Sequence, residues 1–241
     1  MDRLYAQQLA PGYDRARAEL MNELDALLPA CIAPMFITGE RRLRELSNSP
    51  QDVNRINHSL HLVFDFFEGR RLEQIRPLIE RALQNKLFNM KEQYIQALEE
   101  FGDPASLAPL ATLLRLHRSN NVEDEGIRAA VLGALTGYFP ALRDPTPVID
   151  QLGDESLRVR RAAIRYLSTH AVHEADSALA KRVMEEEDPD LLADVLALLA
   201  ETDHVKARAV AEERLASTPV SDKEIIEQLQ LSLEPLRAPP H

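Results

Sequence analysis

The chain has 241 residues, with 28 lysines and arginines against 39 aspartates and glutamates, so its net charge is −11. This acidic balance argues against general affinity for nucleic acid or anionic membranes, because phosphate groups favour basic clusters. A single cysteine excludes an internal disulfide, and the first 20 residues lack the apolar core of a signal peptide, so we expect a cytoplasmic protein without a membrane span.

Apolar residues recur with helical spacing almost throughout the chain, and no run alternates as a strand would. In chain order, the spacing predicts amphipathic helices over 13–28, 53–67, 75–83 and 90–101. We therefore expect an all-α fold. Residues 1–50 lack the pattern found later and are interpreted as a helical capping segment, followed by one continuous domain over 51–241.

Beyond residue 126, an interval of 32 residues relates four predicted helices. The apolar positions that repeat at this interval are Leu135, Leu167, Leu199 and Leu231; Ile127, Val159 and Leu191; Val131, Ala163 and Val195; and Leu132, Ile164 and Leu196. Of the repeating positions, the fourth helix has an apolar residue only at Leu231. Its other apolar residues (Ile225, Ile226, Leu229 and Leu233) are therefore rotated to a different face of the helix. A terminal repeat with one face in water is expected to have this pattern, because no neighbour covers it.

Each of these helices is preceded by another predicted helix, so the repeating unit is a helical hairpin. Asp103–Pro104 and Asp144–Pro145 stand at the starts of first helices, and Asp188–Pro189 stands at the start of a second. Aspartate caps a helix and proline fits its first turn. A hairpin alone cannot bury its apolar side, so we expect neighbouring hairpins to stack.

The stretches "FGDPASLAPLATLL", "IRAAVLGAL" and "LGDESLRVRRAAIRYL" resemble HEAT repeats, in the manner of the bacterial HEAT-like repeats of phycobilisome lyases. The family pattern of a Gly-Asp turn, a Leu-rich first helix and a Val-Arg-x-x-Ala-Ala second helix is matched at 159–163 and, in part, at 127–130. The resemblance covers roughly residues 72–236. It implies a right-handed α-solenoid whose second helices line a concave groove, and it leaves the activity open.

Three arginines on the predicted helix after Ser156 share one exposed face, since Arg158, Arg161 and Arg165 stand at i, i+3 and i+7. Arg160 points toward the helix start and belongs to the repeat motif. The resemblance implies that the three-arginine face looks into the groove.

The 32-residue interval predicts the neighbours of this arginine face. One repeat on, Asp190 and Asp194 are expected to neutralise part of it. One repeat back, Gly126, Ala129 and Gly133 leave room for a partner.

Two interpretations of this face stay open. It is either a solvated ion ladder between repeats, worth little per pair, or a site for an anion or an acidic peptide, which arginine holds through its planar fork. The candidate partner-binding residues are Arg128, Arg158, Arg161, Arg165, Asp190 and Asp194. The acidic turn at 184–190 could bind a cation or a basic partner, but such runs are more often solvated, so it is interpreted as a solvated loop.

No Walker loop, dinucleotide fingerprint, nucleophile elbow or HExxH motif occurs in the chain. The sequence therefore favours a non-catalytic scaffold or adaptor that binds another protein or an acidic peptide. No catalytic residue, metal or cofactor is expected, although His58, His61 and Asp65 share a predicted helix face.

The alternative is an enzyme or enzyme-assisting module with its site in the groove. By analogy with the phycobilisome group it would be a chromophore lyase or chaperone. An alkylpurine DNA glycosylase shares the HEAT-like architecture, but the lack of tryptophan and the acidic balance argue against it.

Overall fold

The structure, a computed structural model, describes residues 34, 37–39, 41–42, 45, 50–67, 72–89, 91–137 and 140–237. Within these ranges every regular element is a helix and none is a strand, which confirms the predicted all-α fold class. The predicted helix over 13–28 and most of the predicted capping segment lie outside the described residues.

Eleven α-helices have bounds within the described ranges, and short 3-10 turns join several of them. The helices are α1 (Pro50–Phe67), α2 (Leu72–Leu83), α3 (Lys91–Phe101), α4 (Leu107–Leu116), α5 (Val122–Gly137), α6 (Thr146–Ile149), α7 (Leu157–His170), α8 (Asp176–Glu185), α9 (Pro189–Thr202), α10 (His204–Ser217) and α11 (Lys223–Leu236). The 3-10 turns are Pro104–Ser106, Asp150–Gly153 and His173–Ala175. No helix in the described part of the chain is both long enough and apolar enough to span a membrane.

The chain forms two compact units, residues 1–109 and 110–241, with the boundary inside α4. This division does not coincide with the predicted boundary at residue 50, and the single continuous domain over 51–241 stays a prediction. In the first unit, α2 packs against both α1 and α3. The core of this unit includes Ile56, Leu60, Ile79, Leu83, Phe88, Ile95 and Leu98.

A buried amide holds α1 to the turn that follows α2 in the first unit. Asn57 Nδ2 donates to the carbonyl of Leu87 at 2.8 Å, and Asn57 Oδ1 accepts from the N–H of Asn89 at 3.2 Å. These bonds supply the partners that a buried amide needs, and they fix the path of the chain into α3.

In the second unit, four helices pack in chain order: α5 against α7, α7 against α9, and α9 against α11. The intervening helices form a second set, in which α8 packs against α9 and α10, and α10 also packs against α11. This order of contacts agrees with the predicted stacking of neighbouring hairpins. The right-handed superhelix itself stays a prediction.

The 32-residue pattern marks the core of the second unit correctly through three repeats. The twelve residues at repeating positions on α5, α7 and α9 expose at most 5% of their surface each. Burial of a large aliphatic side chain contributes about 1.5–3 kcal/mol, so these rows hold neighbouring helices together.

The last helix, α11, is rotated as predicted. Leu231 stands at the repeating leucine position but is 56% exposed, whereas Leu135, Leu167 and Leu199 are fully buried. Ile225, Leu229, Leu233 and Leu236 face the core instead. An aliphatic side chain therefore stands in water on the outer face of α11.

Aspartate caps at two helix starts confirm the predicted role of Asp103–Pro104 and Asp188–Pro189. Asp188 accepts from the N–H of Leu191 at 2.8 Å, and Asp103 accepts from the N–H of Ala105 at 2.9 Å. At Asp144–Pro145 the cap position is taken by Pro145 instead, and hydrogen bonds from the side chain and the N–H of Thr146 lower the pKa of the Asp144 carboxyl. Each cap satisfies a donor at a helix start that lacks a partner inside its own helix.

Candidate functional site

Arg128, a predicted groove residue, lies in the interior instead. Its side chain is 3% exposed, and its Nε lies 2.7 Å from Asp154 Oδ2. Its Nη1 donates to the carbonyls of His117 and Ser119 at 2.8 and 3.0 Å. The prediction that Arg128 contacts a partner in the groove is therefore corrected, because its guanidinium is already bound within the fold.

The loop that receives Arg128 is itself held by a short polar network. His117 Nδ1 lies 2.7 Å from Asp124 Oδ1, and Asp124 Oδ2 accepts from the N–H of Ser119 at 3.1 Å. Burial raises the pKa of Asp124, but the hydrogen bonds from His117 and Ser119 outweigh it and lower the pKa overall. The loop before α5 thus presents the carbonyl oxygens of His117 and Ser119 to the arginine in a fixed geometry.

Arg160 repeats this arrangement one hairpin later, as predicted from the repeat motif. Its Nη1 donates to the carbonyls of Asp154 and Glu155, and its Nε and Nη2 donate to Glu186 at 2.9 and 2.7 Å. Arg182 adds a second cation, with its Nε 3.2 Å from Glu186 Oε2. Arg160 therefore joins its own hairpin turn to the next hairpin.

Glu186 is fully buried, so the interpretation of the 184–190 turn as a solvated loop is wrong at this residue. Its Oε1 also accepts from the N–H groups of Glu187 and Asp188. Burial raises the pKa of Glu186, but the hydrogen bonds and the charges of Arg160 and Arg182 outweigh it and lower the pKa overall. The carboxylate is a structural anion that holds the turn closed.

The repeat interval was the feature of the sequence that could have identified these buried arginine–acid contacts. Arg128 and Arg160 stand 32 residues apart, and so do their acidic partners Asp154 and Glu186. In both cases the arginine binds an acid 26 residues further along the chain. Polar positions that recur at the interval of the apolar ones mark contacts between repeats.

The arginine face of α7 borders an open cavity of about 560 Å³ between α5 and α7. Ala129, Gly133, Glu125 and Thr136 line it from α5, and Ala162 and the arginines Arg158, Arg161 and Arg165 line it from α7. The cavity thus brings together the predicted arginine face and two of the three predicted small residues. Gly126 is buried and does not line it.

The floor of the cavity on α5 is unfilled at Gly133. In the described part of the chain, no heavy atom lies within 4 Å of the position that a Cβ atom would take on Gly133, beyond the backbone of its own helix and its chain neighbours. Ala129 and Ala162 are also small, so a ligand side chain can approach the backbones of both helices.

Arg158 and Arg165 are exposed, and neither forms an ion pair or a side-chain hydrogen bond within the described part of the chain. Arg161 is 45% exposed, and its Nη2 lies 3.6 Å from Asp188 Oδ1. The face therefore keeps two guanidinium groups with their donors turned to solvent and one weakly paired group between them.

Asp190 and Asp194 do not take the predicted place opposite these arginines. Both carboxylates are exposed, neither lines the cavity, and neither forms an ion pair with an arginine among the residues described. Asp188 takes that place because it caps α9, which fixes its carboxylate at the helix start near Arg161. The predicted neutralisation by Asp190 and Asp194 is thus corrected: Asp188 stands beside Arg161, Glu125 is the acid among the residues that line the cavity, and Arg158 and Arg165 have no ion pair in the described part of the chain.

The predicted helix face with His58, His61 and Asp65 lies only in part within the described residues. No group of three or more histidine, cysteine, aspartate or glutamate side chains is placed to hold a metal ion in the ranges that the structure describes. The side chains of His61 and Asp65 lie outside the described residues.

No family model, curated protein or solved structure matches the chain. The HEAT-repeat resemblance therefore stays a prediction, and the function rests on the geometry of the cavity between α5 and α7.

Proposed function

We propose that this chain is a non-catalytic, HEAT-like scaffold that binds an acidic segment of a protein partner in the cavity between α5 and α7. The observation that carries the proposal is a pair of arginines, Arg158 and Arg165, that have no partner among the described residues and stand at the edge of a cavity with small residues on its floor. We place the protein in the cytoplasm, in keeping with its single cysteine.

Two features of the cavity favour an acidic protein segment. A guanidinium binds a carboxylate through two parallel hydrogen bonds, and such charge-assisted bonds are about twice as strong as neutral ones. Arg158 and Arg165 have these donors available, and the space above Gly133 can take an apolar side chain. A segment with acids around an apolar residue satisfies both features.

The contrast with the buried arginines argues against a purely structural role for the arginine face. Arg128 and Arg160 already join one hairpin to the next, through side chains that are 3% and 12% exposed. Arg158 and Arg165 make no such contact in the described part of the chain. An ion ladder between repeats therefore does not account for the exposed pair.

The charge of the chain argues against a duplex nucleic acid as the ligand. Affinity for DNA grows with the number of phosphates neutralised, and specific proteins commonly make about six to ten such contacts. This cavity offers three arginines, one of them beside Asp188, together with the acid Glu125, on a chain with a net charge of −11. A short acidic segment matches that number of cations.

Capture of partners by the immobilised full-length protein, followed by quantitative mass spectrometry, tests the proposal. The test variant is Arg158→Glu with Arg165→Glu, named here the groove variant. The control variant is Arg143→Glu with Arg208→Glu, which makes the same charge change at exposed arginines that do not line the cavity.

We expect the groove variant to lose the partners that the wild type and the control variant both retain. Circular dichroism and urea unfolding of the groove variant should match the wild type, since substitution at exposed, unpaired positions usually changes stability by less than about 0.5 kcal/mol. Equal capture by a folded groove variant would reject the cavity as the binding surface.

A further inference from the structure

We infer that the acidic segment that enters the cavity is helix α11 of a second copy of the chain. This inference rests on the proposed function and names the partner of that site. It is carried by a match between two exposed helix faces, one basic and one acidic.

The outer face of α11 carries two acids around one apolar residue. Glu227, Leu231 and Glu234 stand at i, i+4 and i+7, so they lie on one side of the helix. All three are exposed, and neither glutamate forms an ion pair within the described ranges. The opposite charges of Lys223 and Glu224, in the first turn, offset each other, so Glu227 and Glu234 give this face its negative charge.

The cavity face of α7 has the same spacing with the opposite charge. Arg158, Ala162 and Arg165 also stand at i, i+4 and i+7, and all three line the cavity. With a rise of about 1.5 Å per residue, the outer members of each set are about 10.5 Å apart. A strand does not match this distance, because its side chains on one face recur about every 6.6 Å.

The middle position of the two sets is complementary in size. Leu231 is 56% exposed, whereas the cavity offers Ala162, Ala129 and the unfilled space above Gly133. A helix laid along α7 places Leu231 over these small residues while Glu227 and Glu234 meet the two arginines. The contact would remove Leu231 from water, as the equivalent leucines of the first three repeats already are.

The same chain cannot make this contact with itself. Helix α9 packs against both α7 and α11, so it stands between the arginine face and the acidic face. The contact is therefore intermolecular and joins two different surfaces, which makes the assembly head-to-tail, either a ring or an open chain.

Sedimentation velocity of the full-length protein tests the inference, over concentrations from about 1 to about 200 μM at low salt. We expect self-association that rises with concentration and weakens in about 0.5 M salt, where surface charges are screened. The groove variant, Arg158→Glu with Arg165→Glu, should lose it. The tail variant, Glu227→Arg with Glu234→Arg, should lose it too, whereas Arg143→Glu with Arg208→Glu should retain it.

Mixing the groove and tail variants gives the sharpest result. In the mixture, the unchanged glutamates of α11 in the groove variant meet the unchanged arginines of α7 in the tail variant. The arginines introduced into α11 of the tail variant likewise meet the glutamates introduced into α7 of the groove variant. We expect association in the mixture although each variant alone is monomeric. A third variant, Gly133→Leu, changes no charge but fills the space above residue 133. Its self-association should be about tenfold weaker than that of the wild type, because Leu231 of the second copy can no longer occupy this space.

A monomer at every concentration would overturn the inference, as would an equimolar mixture that stays monomeric. Association that persists in the folded tail variant would also overturn it. These failures are distinct from failure of the proposed function. If the chain is monomeric but the groove variant loses a captured partner, the cavity binds a different protein and only the identity of the partner is wrong.

Discussion

Four arginines of the second unit form two pairs that differ in burial and in what their guanidinium groups bind. Arg128 and Arg160 bind backbone carbonyls of a hairpin turn and the carboxylate of an acid 26 residues further on. Arg158 and Arg165 are exposed at the cavity. We therefore expect substitutions in the first pair to change stability and substitutions in the second pair to change binding.

Arg128→Ala should lower the free energy of unfolding by about 3 kcal/mol, because it leaves Asp154 and two carbonyl oxygens without their cation. Arg158→Ala, the matched control, should change it by less than about 0.5 kcal/mol. Urea unfolding followed by circular dichroism measures both. Equal losses in the two variants would contradict the division into structural and exposed arginines.

Glu186→Gln should destabilise the fold by about 3 kcal/mol near neutral pH, since it leaves Arg160 and Arg182 without their shared carboxylate. Because the pKa of Glu186 is lowered from its ordinary 4.5, its stabilising effect is present above that pH and is lost as the pH falls through the folded-state pKa. The difference between wild type and variant should therefore shrink in acid.

Urea unfolding of both proteins at about pH 7 and about pH 3 measures this difference. The exposed neighbour provides the control, because Glu187→Gln should leave the unfolding curve nearly unchanged at both values. A stability difference for Glu186→Gln that stays constant or grows in acid would contradict the sign of the shift.

At the scale of helices, the apolar repeat was enough to predict the core of the second unit. The positions of Ile127, Val159 and Leu191, and the three rows beside them, are buried as the 32-residue interval requires. The rotation of α11 also followed from the pattern, because charged residues occupy its repeating core positions. Apolar spacing suffices here since burial is decided by which helix face meets a neighbour.

The sequence was less informative about polar contacts between hairpins. Asp190 and Asp194 stood at the register of the arginines, but Asp188 makes the contact with Arg161. The repeat register predicts the position of a residue along the axis of its helix, whereas a capping hydrogen bond also fixes the direction of the side chain. Glu186 was missed because an acidic run is usually solvated, and only the fold supplies two arginines around it.

Asp188→Ala should lower the free energy of unfolding by about 1 kcal/mol, because α9 loses the side-chain acceptor for the N–H of Leu191. Asp188→Asn should recover most of that loss, since an amide oxygen also caps. Asp190→Ala, two residues away and exposed, is the matched control. Thermal and urea unfolding measure the stability of the three variants. A larger loss of stability for Asp190→Ala than for Asp188→Ala would contradict the role given to Asp188.

At the scale of the whole chain, charge is unevenly distributed. Residues 174–241 hold 7 basic and 16 acidic side chains, whereas the cavity of the second unit is bordered by three arginines. Opposite charges at different places on one chain favour association between copies and make it sensitive to salt. A net charge of −11 alone would not have indicated a basic site.

The location of the cavity could be predicted in part. Arg158, Arg161, Arg165, Ala129 and Gly133 were placed together by helical spacing and the repeat interval, and all five line the cavity. Its complementary face on α11 was not predicted. That match depends on which face of α11 is exposed and on Leu231 standing in water.

The most direct test of the central claim is the dissociation constant of a captured partner, measured by titration calorimetry against three forms of the full-length protein. These are the wild type, the groove variant Arg158→Glu with Arg165→Glu, and the control variant Arg143→Glu with Arg208→Glu. We predict a loss of affinity of about a hundredfold for the groove variant and less than about twofold for the control. Equal affinities of the groove variant and the wild type, with both folded, would contradict the claim that the cavity binds acidic segments.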